Sequence, residues 1–351
     1  MRVAVDVTPL ITGTTGVARY ARELTGALEA LGVEVRPYAL GRATVAPPAG
    51  VRRVRIPLRV LHRLWGAGEL PPIDWLVPSA DVVHTLDLVA PPARRPSVAT
   101  VHDLDAVEHP ELHRPRAVRI QEAQLASLRR VRVILTNSET TKKALCRRGI
   151  DADRVVVGGL GLTGLAASSS FQRAPAARPS VLVVGTLDPR KGQDVLLRAL
   201  SCLPDVRAVL VGPDQWQAGR IRALADELRV ADRVDFRGPV SDDQLAACYR
   251  EATLVCVPSR AEGFGLVVLE AMALGVPVIA SDLPAIREVA GDAAAFVPQE
   301  DPSALAAGIA NLLGDEARQQ ALVAAGRVAS RRWTWEATAR ATVRAYERAL
   351  G

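Results

Sequence analysis

Residues 253–282 read TLVCVPSRAEGFGLVVLEAMALGVPVIASD. An apolar run of strand composition (253–259), a Gly-containing loop, a helical pattern (265–274) and a second apolar run (276–281) make a strand–helix–strand unit. Such a unit needs parallel strands covered on both faces. Two acids interrupt it: Glu262 in the loop and Glu270 in the helix. An ionised carboxylate in such a place costs several kcal/mol unless it is paired, so each calls for a partner or a ligand. Gly263 and Gly265 allow close approach of the backbone, and the first N–H groups of the helix, from about Leu266, have no partner within it, which suits a phosphate. The carboxylate at 270 can accept bonds from two vicinal hydroxyls, so a ribose beside a diphosphate fits the pattern. The competing structural reading makes Glu262 a surface acid and Glu270 a helix acid that offsets the dipole.

The same alternation extends both ways. The second half carries strand-like runs at 180–185, 207–212, 233–238, 253–259, 276–281 and 293–298, with helical patterns near 192–202, 217–230, 242–251, 265–274, 302–314 and 315–331. The first half has runs at 2–7, 33–40, 81–86, 97–103, 133–138 and 154–159, with helices near 16–31, 114–130 and 139–149. Between Thr163 and Ser180 the text turns to TGLAASSSFQRAPAARPS, small and polar, which is linker composition. The expected fold class is therefore α/β, with two doubly wound Rossmann-like parallel-sheet domains facing a cleft. The expected boundaries are 1–166, a linker at 167–179, and 180–334, with 335–351 as a closing helix capped by Thr334.

Length agrees: 351 residues exceed what one hydrophobic core usually serves. No run is long and unbroken enough for a membrane span. The N-terminus MRVAVDVTPLI lacks the pattern of a signal peptide, so a cytoplasmic location is expected, with the inner face of the membrane as an alternative address. Cys146, Cys202, Cys248 and Cys256 show no C-x-x-C pairing and read as small buried residues rather than metal ligands or disulfides. Residues 1–174 hold 24 basic and 16 acidic residues, the remainder 20 and 22. That excess suggests an anionic partner on the first half, or an arginine-rich coding bias, since only Lys142, Lys143 and Lys191 are lysines. Nucleic acid is not an expected partner, with 4% aromatic residues and no recognition-helix pattern.

A second strand end, VLVVGTLDPRKGQDVLL, places Arg190 and Lys191 just ahead of a helix start, so two positive charges and a helix dipole converge. Taken in order, VGTLDPRKG, FRGPVSDDQL and VPSRAEGFGLVVLEAMALGVPVIASDLPAIREV resemble the retaining glycosyltransferases of family 4, whose fold is GT-B. The first half resembles them more loosely, through TGVARYARELTGAL, TVHDL and LTNSE. The resemblance implies that Glu262 faces the donor sugar, that backbone at Phe264, Gly265 and Leu266 contacts sugar and phosphate, and that Glu270 holds the ribose. It implies that Lys191, with Arg190 beside it, neutralises the diphosphate, and that Val240 and Phe236 line the base pocket. In the first domain it places Gly16, with Gly13, at the diphosphate or acceptor, and His102 and Asp103 opposite the reacting sugar. The last helix would cross back to the first domain. One departure stands out: many members carry an arginine after the strand-ending glycine, where this chain has Thr186.

The function implied is transfer of a hexosyl group, mannosyl slightly favoured, with retention, from a nucleotide-diphosphate sugar (GDP-mannose or a UDP-hexose) to a glycan, lipid-linked or small hydroxylated acceptor. No cofactor and no metal are expected; DLD at 103–105 fits a metal-binding D-x-D but belongs to the HDL element. Alternatives are a UDP-sugar transferase acting on a cyclitol or natural product, and a non-catalytic nucleotide-sugar-binding subunit of a glycan-assembly complex. A nicotinamide dehydrogenase would need G-x-G-x-x-G after its first strand, where this chain has G-x-x-G. The segment RRVRIPLRVLHRLWGAG (52–68) sets Arg52, Arg53, Arg55, Arg59 and Arg63 among apolar residues and Trp65. It reads either as a peripheral contact with an anionic membrane or as a basic loop over the acceptor pocket.

Overall fold

The computed structural model describes the whole chain apart from residues 13–15, 68–69, 78, 87–89, 163, 165–173 and 175–177. Contacts divide the chain into two units, one holding most of residues 1–161 together with 333–351, the other holding 162–332.

In the first unit the strands are β1 (Arg2–Asp6), β2 (Glu34–Leu40), β3 (Arg52–Val54), β4 (Val82–Thr85), β5 (Ser97–Val101), β6 (Val133–Thr136) and β7 (Val155–Val157). All pair in parallel, in the order β3-β2-β1-β4-β5-β6-β7. The helices are α1 (Pro9–Thr12), α2 (Gly16–Ala30), α3 (Leu58–Ala67), α4 (Asp105–Glu108), α5 (Pro115–Ser127) and α6 (Glu139–Arg147). α2 shows how sequence sets this packing: Ala21, Leu24 and Leu28 recur at helical spacing and are all buried in one cluster with Val3, Val5 and Val33.

The basic segment 52–68 is not one element. Arg52–Val54 adds an edge strand beside β2, and Leu58–Ala67 folds as α3. Trp65, expected at a surface, is instead 4% exposed in a cluster with Tyr38, Leu61 and Ile73, and its indole N–H donates to the Pro71 carbonyl at 2.9 Å. Leu61 and Trp65 are one helical turn apart, so they share the inward face, while Arg59 and Arg63 lie exposed.

The second unit carries β8 (Ser180–Val184), α7 (Gln193–Leu200), β9 (Arg207–Val211), α8 (Ala218–Glu227), β10 (Val234–Gly238), α9 (Asp242–Glu251), β11 (Leu254–Val257), α10 (Leu266–Leu274), β12 (Val278–Ser281), α11 (Pro284–Ala290), β13 (Ala295–Val297), α12 (Pro302–Leu313) and α13 (Glu316–Ser330). Its sheet is parallel throughout, in the order β10-β9-β8-β11-β12-β13. α9 begins with a full capping box, Ser241 and Gln244 each binding the other's backbone N–H. α11 is an addition to the expected elements; Pro284 starts it and Gly291 ends it after seven residues.

The closing helix α14 (Trp335–Leu350) is capped by Thr334, whose hydroxyl accepts from the Ala337 N–H at 3.1 Å. It belongs to the first unit: Ala339, Ala345, Tyr346 and Ala349 are fully buried with Val82, Val98 and Leu135. Its approach is close enough that a Cβ on Gly161 would lie 2.3 Å from the Trp335 nitrogen. Tyr346 reaches a buried polar line: its hydroxyl is 2.7 Å from His84 Nδ1, and His84 Nε2 is 2.8 Å from the Thr100 hydroxyl. Burial, with a smaller contribution from the nearby His102, lowers the His84 pKa to about 3, so the ring is neutral at ordinary pH.

Candidate active site

Sheet order explains why distant residues meet. β8 and β11 are neighbours although three helices and two strands separate them in the chain, because the strand order reverses between them. In open α/β sheets such a reversal opens a crevice at the carboxyl ends of the strands. Lys191 follows β8, and Glu262 follows β11.

The β8 end is built with care. Thr186 donates its hydroxyl to the Asp188 carboxylate, and Asp188 Oδ1 accepts the Arg190 N–H at 3.0 Å, which winds Pro189–Lys191 into a short 3-10 turn. Gly192 then takes φ 64°, a left-handed conformation, before α7 begins. A Cβ there would lie 1.9 Å from the Pro258 carbonyl oxygen, so the turn is pressed against the end of β11. We expect Gly192→Ala to destabilise the second unit by about 3 kcal/mol, read by urea denaturation, because neither the strained φ nor a backbone carbonyl yields cheaply.

Through that contact Lys191 Nζ donates to Glu262 Oε1 at 2.7 Å, and the Arg190 guanidinium lies 3.6 Å from Oε2. Ser259 Oγ also donates to Glu262 Oε1 at 2.7 Å, and Arg190 Nη1 donates to the Ala261 carbonyl at 3.1 Å. The Glu262 side chain is only 10% exposed. Burial pushes its carboxyl pKa up, but the charges of Lys191 and Arg190, with hydrogen bonds from Lys191 and Ser259, outweigh burial and hold it below the ordinary glutamate value. Glu262 is thus an anion at neutral pH, able to accept bonds or balance positive charge rather than give up a proton.

Glu270 sits in the second turn of α10, 4% exposed. The hydroxyl of Tyr249, itself fully buried on α9, donates to Glu270 Oε2 at 2.9 Å. Gly265 caps α10 with φ 98°, Phe264 is buried beside it, and Leu266 opens the helix. Phe236 lies on β10 with the Arg222 guanidinium 4.5 Å from its ring centroid, and Val240 follows that strand.

The remaining residues singled out from sequence lie in the first unit. His102, just beyond β5, donates from Nε2 to the Leu86 carbonyl at 2.9 Å, while its Nδ1 is 3.0 Å from the Asn137 amide nitrogen. Its ring meets Tyr20 edge to face at 4.8 Å. Asp103 Oδ1 accepts the Asp105 N–H at 3.2 Å, a local turn that starts α4, and Gly16 opens α2. Gly13 lies outside the described residues. Among the described residues no group of three or more His, Cys, Asp or Glu side chains is arranged to hold a metal.

Sequence reasoning passed over the scaffolding. Arg260 grips both oxygens of Asp194 at 2.8 Å, binds Glu300 at 2.6 Å and donates to the Pro189 carbonyl at 2.7 Å, locking the loop after β11 to the turn after β8. The Asp194 carboxyl is pushed up by burial but drawn further down by Arg260, which keeps it ionised. Tyr249 was overlooked for a similar reason, since its partner is on another helix.

Two family models match this chain: Glycosyl transferases group 1 over residues 168–329, and Glycosyltransferase Family 4 over residues 14–161. O-antigen chain mannosyltransferase B of Escherichia coli is 31% identical over 286 residues, spanning 76% of this chain and 74% of that protein. The chain is a group 1 glycosyltransferase. This glycosyltransferase is also 32% identical, over an alignment of 402 positions, to the D-inositol 3-phosphate glycosyltransferase of Xylanimonas cellulosilytica, covering 99% of this chain and 96% of that one. Among solved structures it resembles sucrose-phosphate synthase from Thermosynechococcus elongatus, with a TM-score of 0.79 at 25% identity, covering 99% and 98% of the two chains. The glycosyltransferase has the GT-B fold, as its two parallel sheets and returning helix α14 lead one to expect.

Proposed function

We propose that the enzyme transfers a hexosyl group, mannosyl favoured, from a nucleotide-diphosphate sugar to a hydroxyl acceptor with retention of anomeric configuration. The observation that carries this reading is the meeting of Lys191, Arg190 and Glu262 across the β8–β11 reversal, one helix start away from Glu270. In this reading the diphosphate lies against Lys191 and Arg190 and the open N–H groups at the start of α10, which take up the charge that develops as the sugar–phosphate bond breaks. That task needs no metal ion. Glu270, steadied by Tyr249, accepts hydrogen bonds from the ribose hydroxyls, and ionised Glu262 faces the sugar. As the acceptor oxygen bonds to the anomeric carbon from the side the phosphate leaves, the acceptor's proton passes to a phosphate oxygen.

With Thr186 in place of an arginine, Arg190 supplies the second positive charge at the diphosphate. The test is a thermal-shift panel of GDP, UDP and their sugars, followed by turnover with the best binder and NMR of the product. The expected product from an α-linked donor is α-linked; a β-linked product would overturn retention. Glu270→Ala should weaken nucleotide binding about 10-fold or more, the loss of one or two charge-assisted bonds, measured by titration calorimetry. Unchanged affinity would remove Glu270 from the ribose site.

A further inference from the structure

Three neighbouring strands of the first sheet end in one polar cluster. β4, β5 and β6 lie side by side in parallel, and just past their carboxyl ends stand Leu86, His102 and Asn137. That edge is the one at which α/β sheets take their ligands. His102 is half-buried there, with Tyr20 of α2 edge to face against its ring at 4.8 Å, whereas Asn137 is 3% exposed. Asn137 comes from the LTNSE stretch.

Two hydrogen bonds fix where the ring carries its proton. The Leu86 carbonyl can only accept, so Nε2, 2.9 Å away, holds the hydrogen. Nδ1 of a neutral ring is then a bare lone pair, and the group facing it at 3.0 Å has to be a donor, as the Asn137 Nδ2 amide is. Both partners are uncharged. Of the titratable groups around the ring, Tyr20 is a phenol whose pKa burial pushes up, and His84 on β4 is neutral at ordinary pH. Asp103, next in the chain, directs Oδ1 to the Asp105 N–H. An imidazolium would need an acceptor at Nδ1, where the amide presents a donor.

Asn137 gives something up for this bond. Its Oδ1 is buried with no hydrogen-bond partner among the described residues, which is unfavourable for an amide oxygen. An apolar residue would avoid that loss. What the amide contributes in return is its hydrogen bond to His102.

We infer that Asn137 is a positioning residue for His102: its amide holds the imidazole as the neutral Nε2–H tautomer, so that His102 meets the reacting sugar as an oriented, uncharged group and passes no proton. The charge state matters to the chemistry. As the sugar–phosphate bond breaks, electron deficiency grows on the anomeric carbon and ring oxygen, and an imidazolium facing them would oppose the step. A neutral ring does not, and the acceptor's proton is left to the departing phosphate. The inference rests on the reading that sets His102 opposite the sugar, but the state of the ring can be measured without turnover.

The test uses the full chain labelled with nitrogen-15 histidine. Long-range proton–nitrogen spectra at pH 7.5 report which ring nitrogens carry hydrogen, and the His102 signals are assigned by their loss in His102→Gln. Asn137→Ala removes the bond, and Asn137→Asp keeps the shape but sets an acceptor at Nδ1. Both are compared with the wild type by the same spectra and by kcat and donor KM. In the wild type only Nε2 of His102 should be protonated; in Asn137→Asp both nitrogens should be. In each variant kcat should fall at least tenfold while donor KM changes less than threefold. Should Asn137→Asp not fold, the wild-type spectrum and Asn137→Ala decide. A wild-type ring protonated at Nδ1 would overturn the inference, and so would wild-type kcat in either variant. A fall in kcat with the ring unchanged in Asn137→Asp would reduce Asn137 to a structural part and overturn it as well. Wild-type turnover in His102→Gln would remove His102 from the sugar and overturn the part that concerns the reaction. Absence of nucleotide binding in the wild-type protein would instead count against the donor-site reading and leave the ring measurement standing on its own.

Discussion

Lys191→Ala should cut sugar transfer by about 10²–10³ and also destabilise the second unit by roughly 2 kcal/mol. The two losses have different causes. In the proposed reading, the activity loss comes from removing a fixed positive charge from the departing diphosphate, a type of interaction whose deletion commonly costs that much in turnover. The stability loss comes from Glu262, which is ionised and 10% exposed, and which would keep only Arg190 at 3.6 Å and the Ser259 hydroxyl. Breaking a buried pair by removing one partner costs about 3–5 kcal/mol when nothing else compensates, and the two surviving contacts reduce that figure here. A second variant separates the effects. Lys191→Met/Glu262→Gln removes both charges and should recover most of the stability by urea denaturation, while transfer stays low. If Lys191→Ala keeps wild-type turnover, the diphosphate does not lie on Lys191; if it keeps wild-type stability, the ion pair does not form in solution.

Acid should loosen the first unit well before it protonates most carboxylates. His84 is fully buried between Tyr346 and Thr100, and its pKa in the folded protein is about 3 against 6.5 for an ordinary histidine. The unfolded chain therefore takes up a proton that the folded chain refuses. The stability associated with the neutral ring is fully present above pH 6.5 and is lost as the pH falls from there toward 3. The slope is about 1.4 kcal/mol per pH unit, or roughly 4–5 kcal/mol across the whole window. Four of the five tryptophans, Trp65, Trp75, Trp333 and Trp335, belong to the first unit and only Trp216 to the second, so intrinsic fluorescence in urea at pH 7 and at pH 4.5 will follow mainly the first. His84→Gln can keep hydrogen bonds to both neighbours but cannot be charged, so its denaturation midpoint should vary less with pH over that range. Identical slopes for the two proteins would mean that another group governs acid sensitivity.

Much of the second unit was legible in the chain. Its strands are buried on both faces and so appear as apolar runs, and the spacing of Glu262 and Glu270 around Gly-Phe-Gly marks one loop and one helix. What the spacing could not reveal was contact across elements. Arg260 and Asp194, or Tyr249 and Glu270, meet because of sheet order and helix packing, which leave no local pattern. The segment 52–67 misled for another reason. β3 buries only Val54 of its three residues, and α3 interleaves Arg59 and Arg63 with the inward Leu61 and Trp65, so arginine hides two short elements from a reading based on hydrophobic runs. α11 was too short to display a helical period at all.

The attachment of α14 to the first unit has a consequence for how the molecule is made. A nascent chain leaving the ribosome releases β1 to β7 early, yet the sixteen-residue helix that covers part of their core emerges only after the entire second unit. The N-terminal half must wait unfinished through that interval, so the C-terminal half is the first that can reach its native state. Deleting the turn of α14 that holds the buried Ala349, or inserting a tag beside it, would therefore injure the half of the protein farthest away along the chain.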